Sequence, residues 1–314
     1  MCEENRTKVT EFHLLGFRNL YNFRTFFFIV LLVIYIAMVV GNLLIILLVS
    51  FIDHLQIPMF YFLKHLAVAD LLLTTIVVPV MLDIILKHGG GVISFNECLI
   101  QLCVYGIFTS VQCFLLAVMS YDRYLAICHP LHYVYLMSPK RCVQLMIVSW
   151  SMVVALILSE IVSISQFEFC GPNTIDHFVC DFRPVIKLIT SNSSIIIILD
   201  FAISGFMFLC PFVFIIITYI CIFITILKGN TGRKKVFSTC SSHLTTVCTY
   251  YGALITVYMS PSDKNHSDVN MYLSLLYIVV IPLINPIIYS LRNHEIERAI
   301  KKVLKITRTV MTGQ

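Results

Sequence analysis

Charge is what this sequence has least of. Of its 314 residues, 12% are Asp, Glu, Lys or Arg and 59% are hydrophobic, with a mean hydropathy of +0.90. Soluble globular domains carry about twice that charge, so a fold with water on every side is excluded. Tryptophan occurs once, and the 12 glycines and 10 prolines give no sign of a repeat or low-complexity tract. No Cys-x-x-Cys occurs among the 12 cysteines, which disfavours a metal site. No nucleophile–base pair or metal set can be assembled from the spacings, which argues against an enzyme. The first 23 residues lack the basic start, short apolar core and small-residue cleavage site of a signal peptide. The alternating segments of a membrane β-barrel, about ten residues each, are missing too.

What is present is a series of long apolar runs. Seven spans are expected, at 25–50, 57–86, 96–127, 141–164, 194–228, 234–260 and 269–291. Each exceeds the ~20 residues that cross ~30 Å of hydrocarbon. The fold class is an all-α membrane protein, a seven-helix bundle over 25–291, with an outer segment 1–24 and an inner segment 292–314. In that last segment Ile296, Ile300, Val303, Leu304 and Ile306 fall near one face, and Arg298, Lys301, Lys302 and Lys305 supply charge elsewhere. It reads as an interfacial helix on anionic lipid.

Loop charge sets the orientation. Lys140, Arg141, Lys228, Arg233, Lys234, Lys235 and the basic tail fall on one side. The other side's loops hold Lys87, Arg183, Lys187 and Lys264 among six acids. This places the amino terminus outside and the carboxyl terminus in the cytoplasm. The sequons at Asn5, Asn192 and Asn265 all fall outside, with Asn5 the expected glycosylation site. Cys2, Cys98, Cys170 and Cys180 fall there as well, where disulfides persist.

The stretch Met119–Tyr133, MSYDRYLAICHPLHY, closes the third span with Asp122 and Arg123 side by side. Charges at the end of an apolar helix must reach water or protein. Arg123 has five donors and keeps its proton, so it needs acceptors on any surface it meets. A snorkelling arginine with a local Asp partner is the plainer alternative.

Seven spans with Asp122-Arg123-Tyr124 at this position resemble a class A G-protein-coupled receptor. So do Gly41-Asn42, the LAVAD run ending in Asp70, Trp150, Pro211 with Tyr219, and Asn285-Pro286 with Tyr289. The wording IPMFYFL at 57–63, MSYDRYLAICHPLHY, KVFSTCSSHL at 235–244 and PLINPIIYSLRN at 282–293 narrows this to the odorant receptor family. That resemblance implies a small, mostly apolar organic ligand, volatile or water-soluble, bound in the outer half of the bundle. It also implies a place in the plasma membrane, a heterotrimeric stimulatory G protein, a rise in cyclic AMP, no cofactor and no nucleic acid. The runner-up is a same-family receptor for a metabolite in another tissue. A transporter or channel would need an ion path or broken helices at repeat interfaces.

The resemblance also assigns residues. Cys98 should pair with Cys180. Cys170 is either free or paired with Cys2, because the usual later loop cysteine is missing from Ile189-Thr190-Ser191. Ligand contacts are expected from Tyr105, Gly106, Thr109, Ser110, Ile203, Met207, Tyr251, Leu254, Ile255, Tyr258, Leu275 and Ile278, with Tyr251 as a switch. The third-helix acid of amine receptors is replaced by Tyr105, and the lysine that carries retinal by Val279. Glu160 and Asp200 either attract a cationic ligand or face the interface or the loop. Asp70 belongs to a polar cluster with Asn42 and Asn285 that can hold sodium; a protonated, purely structural Asp70 is the rival. Gln112 stands where the family usually has Glu, so sodium should bind weakly. The inner end of helix six, Gly232-Arg233-Lys234-Lys235, has no acid to latch Arg123. Tyr219, Ser238 and His243 are the expected restraint, beside a packing role for His243.

Overall fold

The computed structural model describes residues 9–17, 23–87, 90–167, 169, 173–186, 188–189, 194–228, 233–259, 267–292 and 295–303. Side chains are described for all of these except 233–239, 258–259, 267–268 and 291–292. Seven long helices follow one another: α1 (Arg24–Phe51), α2 (Pro58–Leu86), α3 (Phe95–Cys128), α4 (Pro139–Ser165), α5 (Ser194–Lys228), α6 (Arg233–Met259) and α7. The last has three parts, Ser267–Leu275, a π turn at Leu276–Val280 and Ile281–Arg292. Six of the seven are long and apolar enough to cross a membrane. The other, α6, matches α4 in length but carries more Thr and Lys.

Helix starts follow local chemistry. Pro58 and Pro139 occupy first-turn positions, where a missing N–H costs nothing. Ser94 and Glu97 form a reciprocal capping box at the head of α3. α3 is the central helix, with 61% of its most apolar window buried against 22% for α1. On α1, α4 and α5, Val33, Val40, Ile147, Phe201 and Leu209 point outward. Such faces suit hydrocarbon, where outward apolar surface has no water to avoid.

Proline chemistry joins α1 to α7. Pro286 has no N–H, so the Pro282 carbonyl one turn earlier loses its helical donor. Asn42 Nδ2 donates to that carbonyl at 3.0 Å. Gly41 permits the approach, since a Cβ there would lie 3.1 Å from Pro286 Cβ. The Gly-Asn pair and the Asn-Pro motif are therefore two halves of one joint.

One end of the bundle carries a small sheet that the sequence reading did not anticipate. β1 (Glu11–Leu14) lies between β2 (Gly91–Ser94), antiparallel, and β3 (Thr174–Ile175), parallel. Phe12, Leu14 and Phe17 are fully buried, and Phe17 stacks on Phe178 at 5.4 Å. Part of the amino-terminal segment is thus fastened into the cap instead of being only a polar leader. At the other end a helix over 295–303 buries Ile296 and Ala299, while Val303 stays exposed. Cys2, Cys170 and the sequons at Asn5, Asn192 and Asn265 lie outside the described residues.

Candidate functional site

The cap is built around a disulfide. Cys98 in α3 and Cys180 are bonded, with Cα atoms 5.5 Å apart. Gln101, one turn along α3, accepts the Cys180 N–H at 2.9 Å. His177 accepts the Val179 N–H through Nδ1. Burial pushes its imidazole down to about 4, which keeps it neutral and able to accept. The 176–186 stretch is thus held over the bundle by a covalent bond and the Gln101 hydrogen bond, while the His177 bond shapes the stretch itself.

Beneath it, between α3, α4 and α5, lies a narrow cavity. Tyr105, Gly106, Thr109, Ser110, Ile203 and Met207 line it, all six being expected ligand contacts. Ile157, Glu160, Asp181, Phe182, Ser204 and Phe208 complete the wall. Its volume is ≈ 20 Å³, room for one water. Gly106 sits at the tightest place, where a Cβ would meet Phe182 at 3.2 Å and Ile157 at 3.3 Å.

The other expected contacts stand elsewhere. Tyr251 is buried and packs on Phe212 at 4.6 Å. Leu254 and Ile278 are buried and Leu275 half-buried, outside this wall. Ile255 is 48% exposed, because the buried face of α6 runs Val247, Tyr250, Tyr251, Leu254 and Ile255 falls past its edge. The Tyr258 side chain lies outside the described residues.

Below the cavity runs a chain of hydrogen bonds. Tyr250 donates to the Thr109 carbonyl at 2.6 Å and shares a 3.1 Å bond with Tyr277. Tyr277 has one proton to share between Tyr250 Oη and Gln112 Oε1, the latter at 3.4 Å, and Gln112 Nε2 donates to Asp70 Oδ1 at 2.8 Å. Asn285 Nδ2 donates to Asp70 Oδ2 at 2.9 Å. Asn42 is not bonded to this cluster; it serves the α1–α7 joint instead. Tyr250 and Tyr277 were missed from sequence, although a buried tyrosine hydroxyl usually finds a partner. Tyr277 falls within the π turn, a feature common at working sites.

Both oxygens of Asp70 therefore receive an amide donor. Gln112 brings a donor and no second negative charge to Asp70. Replacing sodium by N-methylglucamine at constant ionic strength should leave the thermal midpoint of the purified protein unchanged. The Gln112→Glu variant should be stabilised by sodium. A large sodium effect on the parent protein would contradict this assignment.

At the far end of α3, Asp122 is buried and accepts from Tyr133 Oη at 2.8 Å. Tyr133 lies on a short helical turn, Tyr133–Leu136. Burial, with the Asp122 carboxylate beside it, pushes that phenol up, so it remains a donor. Arg123 Nε is 3.9 Å from Asp122 Oδ2, a loose pair, and makes no hydrogen bond despite its burial. Tyr219 on α5 and His243 on α6 are bonded at 2.7 Å with stacked rings. Tyr124 turns to His129 at 3.0 Å. Tyr289 is fully buried in α7. The Ser238 side chain lies outside the described residues.

Comparison with known proteins gives a consistent answer. A family model for olfactory receptors matches residues 31–306. Olfactory receptor 5P81 of Mus musculus is 45% identical over 304 residues, covering 96% of each chain. Olfactory receptor 11L1 of Homo sapiens is 41% identical over 312 residues, 97% of this chain and 95% of its own. The crystal structure of squid rhodopsin superposes with a TM-score of 0.70 at 18% identity, covering 88% of this chain and 84% of the other, a likeness of fold.

Proposed function

Because this chain belongs to the olfactory receptor family of G-protein-coupled receptors, we propose that it binds a small organic odorant in the cavity under the cap and signals from the Arg123 end through a stimulatory G protein. The capped end, with the amino terminus, faces outward. The Arg123 end and the carboxyl terminus face the cytoplasm, as the loop charge requires. Cyclic AMP is the product of signalling.

The observation that carries this reading is the hydrogen-bonded path that leads from the cavity wall to the middle of the bundle. Thr109 lines the cavity and accepts from Tyr250. From there hydrogen bonds run to Asp70 and Asn285, beside the Pro286 joint. At ≈ 20 Å³ the cavity is far smaller than the ~300 Å³ and more that ligand sites occupy. An odorant must part its walls, so binding favours an arrangement other than the resting one. The tyrosine chain beneath those walls carries the change toward α6 and α7.

The resting arrangement is held without an acid on α6. Tyr219 and His243 tie α5 to α6 by one partly buried hydrogen bond. Such a bond contributes about 0.5–1.5 kcal/mol. The Tyr219→Phe receptor should therefore show basal cyclic AMP about 2- to 10-fold higher at equal surface expression. Unchanged basal signal would remove this bond from the restraint.

The reading is tested by a panel of volatile and water-soluble compounds on cells with verified surface receptor. A dose-dependent rise in cyclic AMP, absent from mock-transfected cells, is expected. Silence across the panel together with no receptor-dependent basal signal would overturn it.

A further inference from the structure

Two carboxyl groups, Glu160 and Asp181, line the cavity, and a third, Asp200, stands next to Glu160. Glu160 on α4 is 1% exposed, so it faces neither lipid nor water. Its Oε1 is buried and receives no donor from the protein. Asp200 on α5 lies within hydrogen-bond reach of it and takes a 3.4 Å bond from Ser204. Asp181, in the cap, lines the same cavity and accepts the Phe182 N–H at 2.8 Å. Among the described residues the cation whose field reaches Asp181 and Asp200 is Arg183.

Two facing carboxyls need something between them. It is either a proton or a cationic donor, since as bare carboxylates they repel. A carboxyl oxygen without a donor at this depth, as Glu160 Oε1 is, is expensive and usually marks a working site. An ammonium group supplies three donors and a positive charge, and its bonds to carboxylates are of the strong, charge-assisted kind. A metal ion is a poorer match, because no group of His, Cys, Asp and Glu among the described residues is set to hold one. The rest of the wall, Ile157, Ile203 and Met207, is apolar.

We propose that Glu160 and Asp200, with Asp181 above them, bind the protonated amine of the ligand, so that this receptor takes a small organic amine with an apolar body. The inference rests on the receptor reading given above and adds the ligand's chemical class. The acid comes from α4 and α5, because the α3 wall offers Tyr105. An amine placed here bridges two helices that otherwise face each other through like groups. Bridging them is how it would favour one arrangement of the bundle over another.

The test pairs amines with neutral partners of the same shape. Cyclohexylamine, pentylamine and phenethylamine are applied with cyclohexanol, pentanol and 2-phenylethanol to cells expressing the receptor, reading cyclic AMP. Amines should act at concentrations at least about tenfold lower than the matched alcohols. Glu160→Gln, and Glu160→Gln with Asp200→Asn, should remove that difference while responses to alcohols persist, which shows that the variants still fold. Alcohols matching or exceeding amines on the parent protein would overturn the amine assignment and leave the receptor reading standing. So would amine potency unchanged in the double variant. Absence of response to both sets overturns the amine assignment; only a silent wider panel with no basal signal overturns the receptor reading too.

Discussion

The Arg123→Ala receptor should lose agonist-evoked cyclic AMP almost entirely while reaching the cell surface in normal amount. Arg123 is 13% exposed in its side chain, its nearest anionic oxygen is 3.9 Å away, and its Nε is unsatisfied. Asp122 is already engaged by Tyr133 at 2.8 Å. The guanidinium is thus held close to a surface that it has few bonds to, which keeps it available to acceptors arriving from outside. Helix carboxyl ends present such acceptors and favour a cation. Removing it costs the resting fold little, because no well-formed bond is broken, and costs the signalling complex its main donor. The variant is measured by agonist dose–response at matched surface expression. A normal response would remove Arg123 from coupling and leave it a snorkelling side chain. The Arg123→Lys variant should recover only part of the signal, since a point charge cannot reproduce the planar fork.

The second large effect falls at the other end. The Cys98–Cys180 bond closes a separation of 82 residues, which in the loop-entropy account is worth about 4.5 kcal/mol. Cys180→Ser should lower the thermal midpoint of the purified receptor by many degrees and sharply reduce surface expression. Gln101→Ala removes one buried hydrogen bond to the same segment and should cost about 1 kcal/mol. The contrast matters, because the cap is also held by β1, by Phe17 against Phe178 and by the Phe17 N–H on Met271 Sδ. If Cys180→Ser left melting and expression unchanged, the strand and aromatic contacts would be holding the cap alone.

These two ends differ in how far the sequence reveals them. The helices were legible because a membrane span is a one-dimensional signal, a run of apolar residues ended by charge, proline or a capping Ser. Expected and observed limits differ by three residues or fewer for all seven. The Cys98–Cys180 bond and half of the cavity wall followed from family resemblance. What escaped was set by pairing across the fold. A strand at Glu11–Leu14 has no meaning until Gly91–Ser94 and Thr174–Ile175 lie beside it. Tyr250 was passed over for its neighbour Tyr251, because spacing alone does not say which of two adjacent hydroxyls reaches Thr109. Asn42 was placed with Asp70 by analogy, whereas the carbonyl freed by Pro286 gives it a nearer partner. Glu160 could be noticed from sequence, but only its burial separates a cavity group from an interfacial one.

The account rests on ligand at the capped end altering how the Arg123 end meets a G protein. Nucleotide exchange tests this most directly. The purified receptor in lipid nanodiscs is mixed with a stimulatory heterotrimer, and GTP analogue uptake is followed with and without the most potent compound of the panel. The predicted result is faster uptake with ligand, lost in Arg123→Ala although ligand still binds. Saturable ligand binding with no change in exchange would contradict the account.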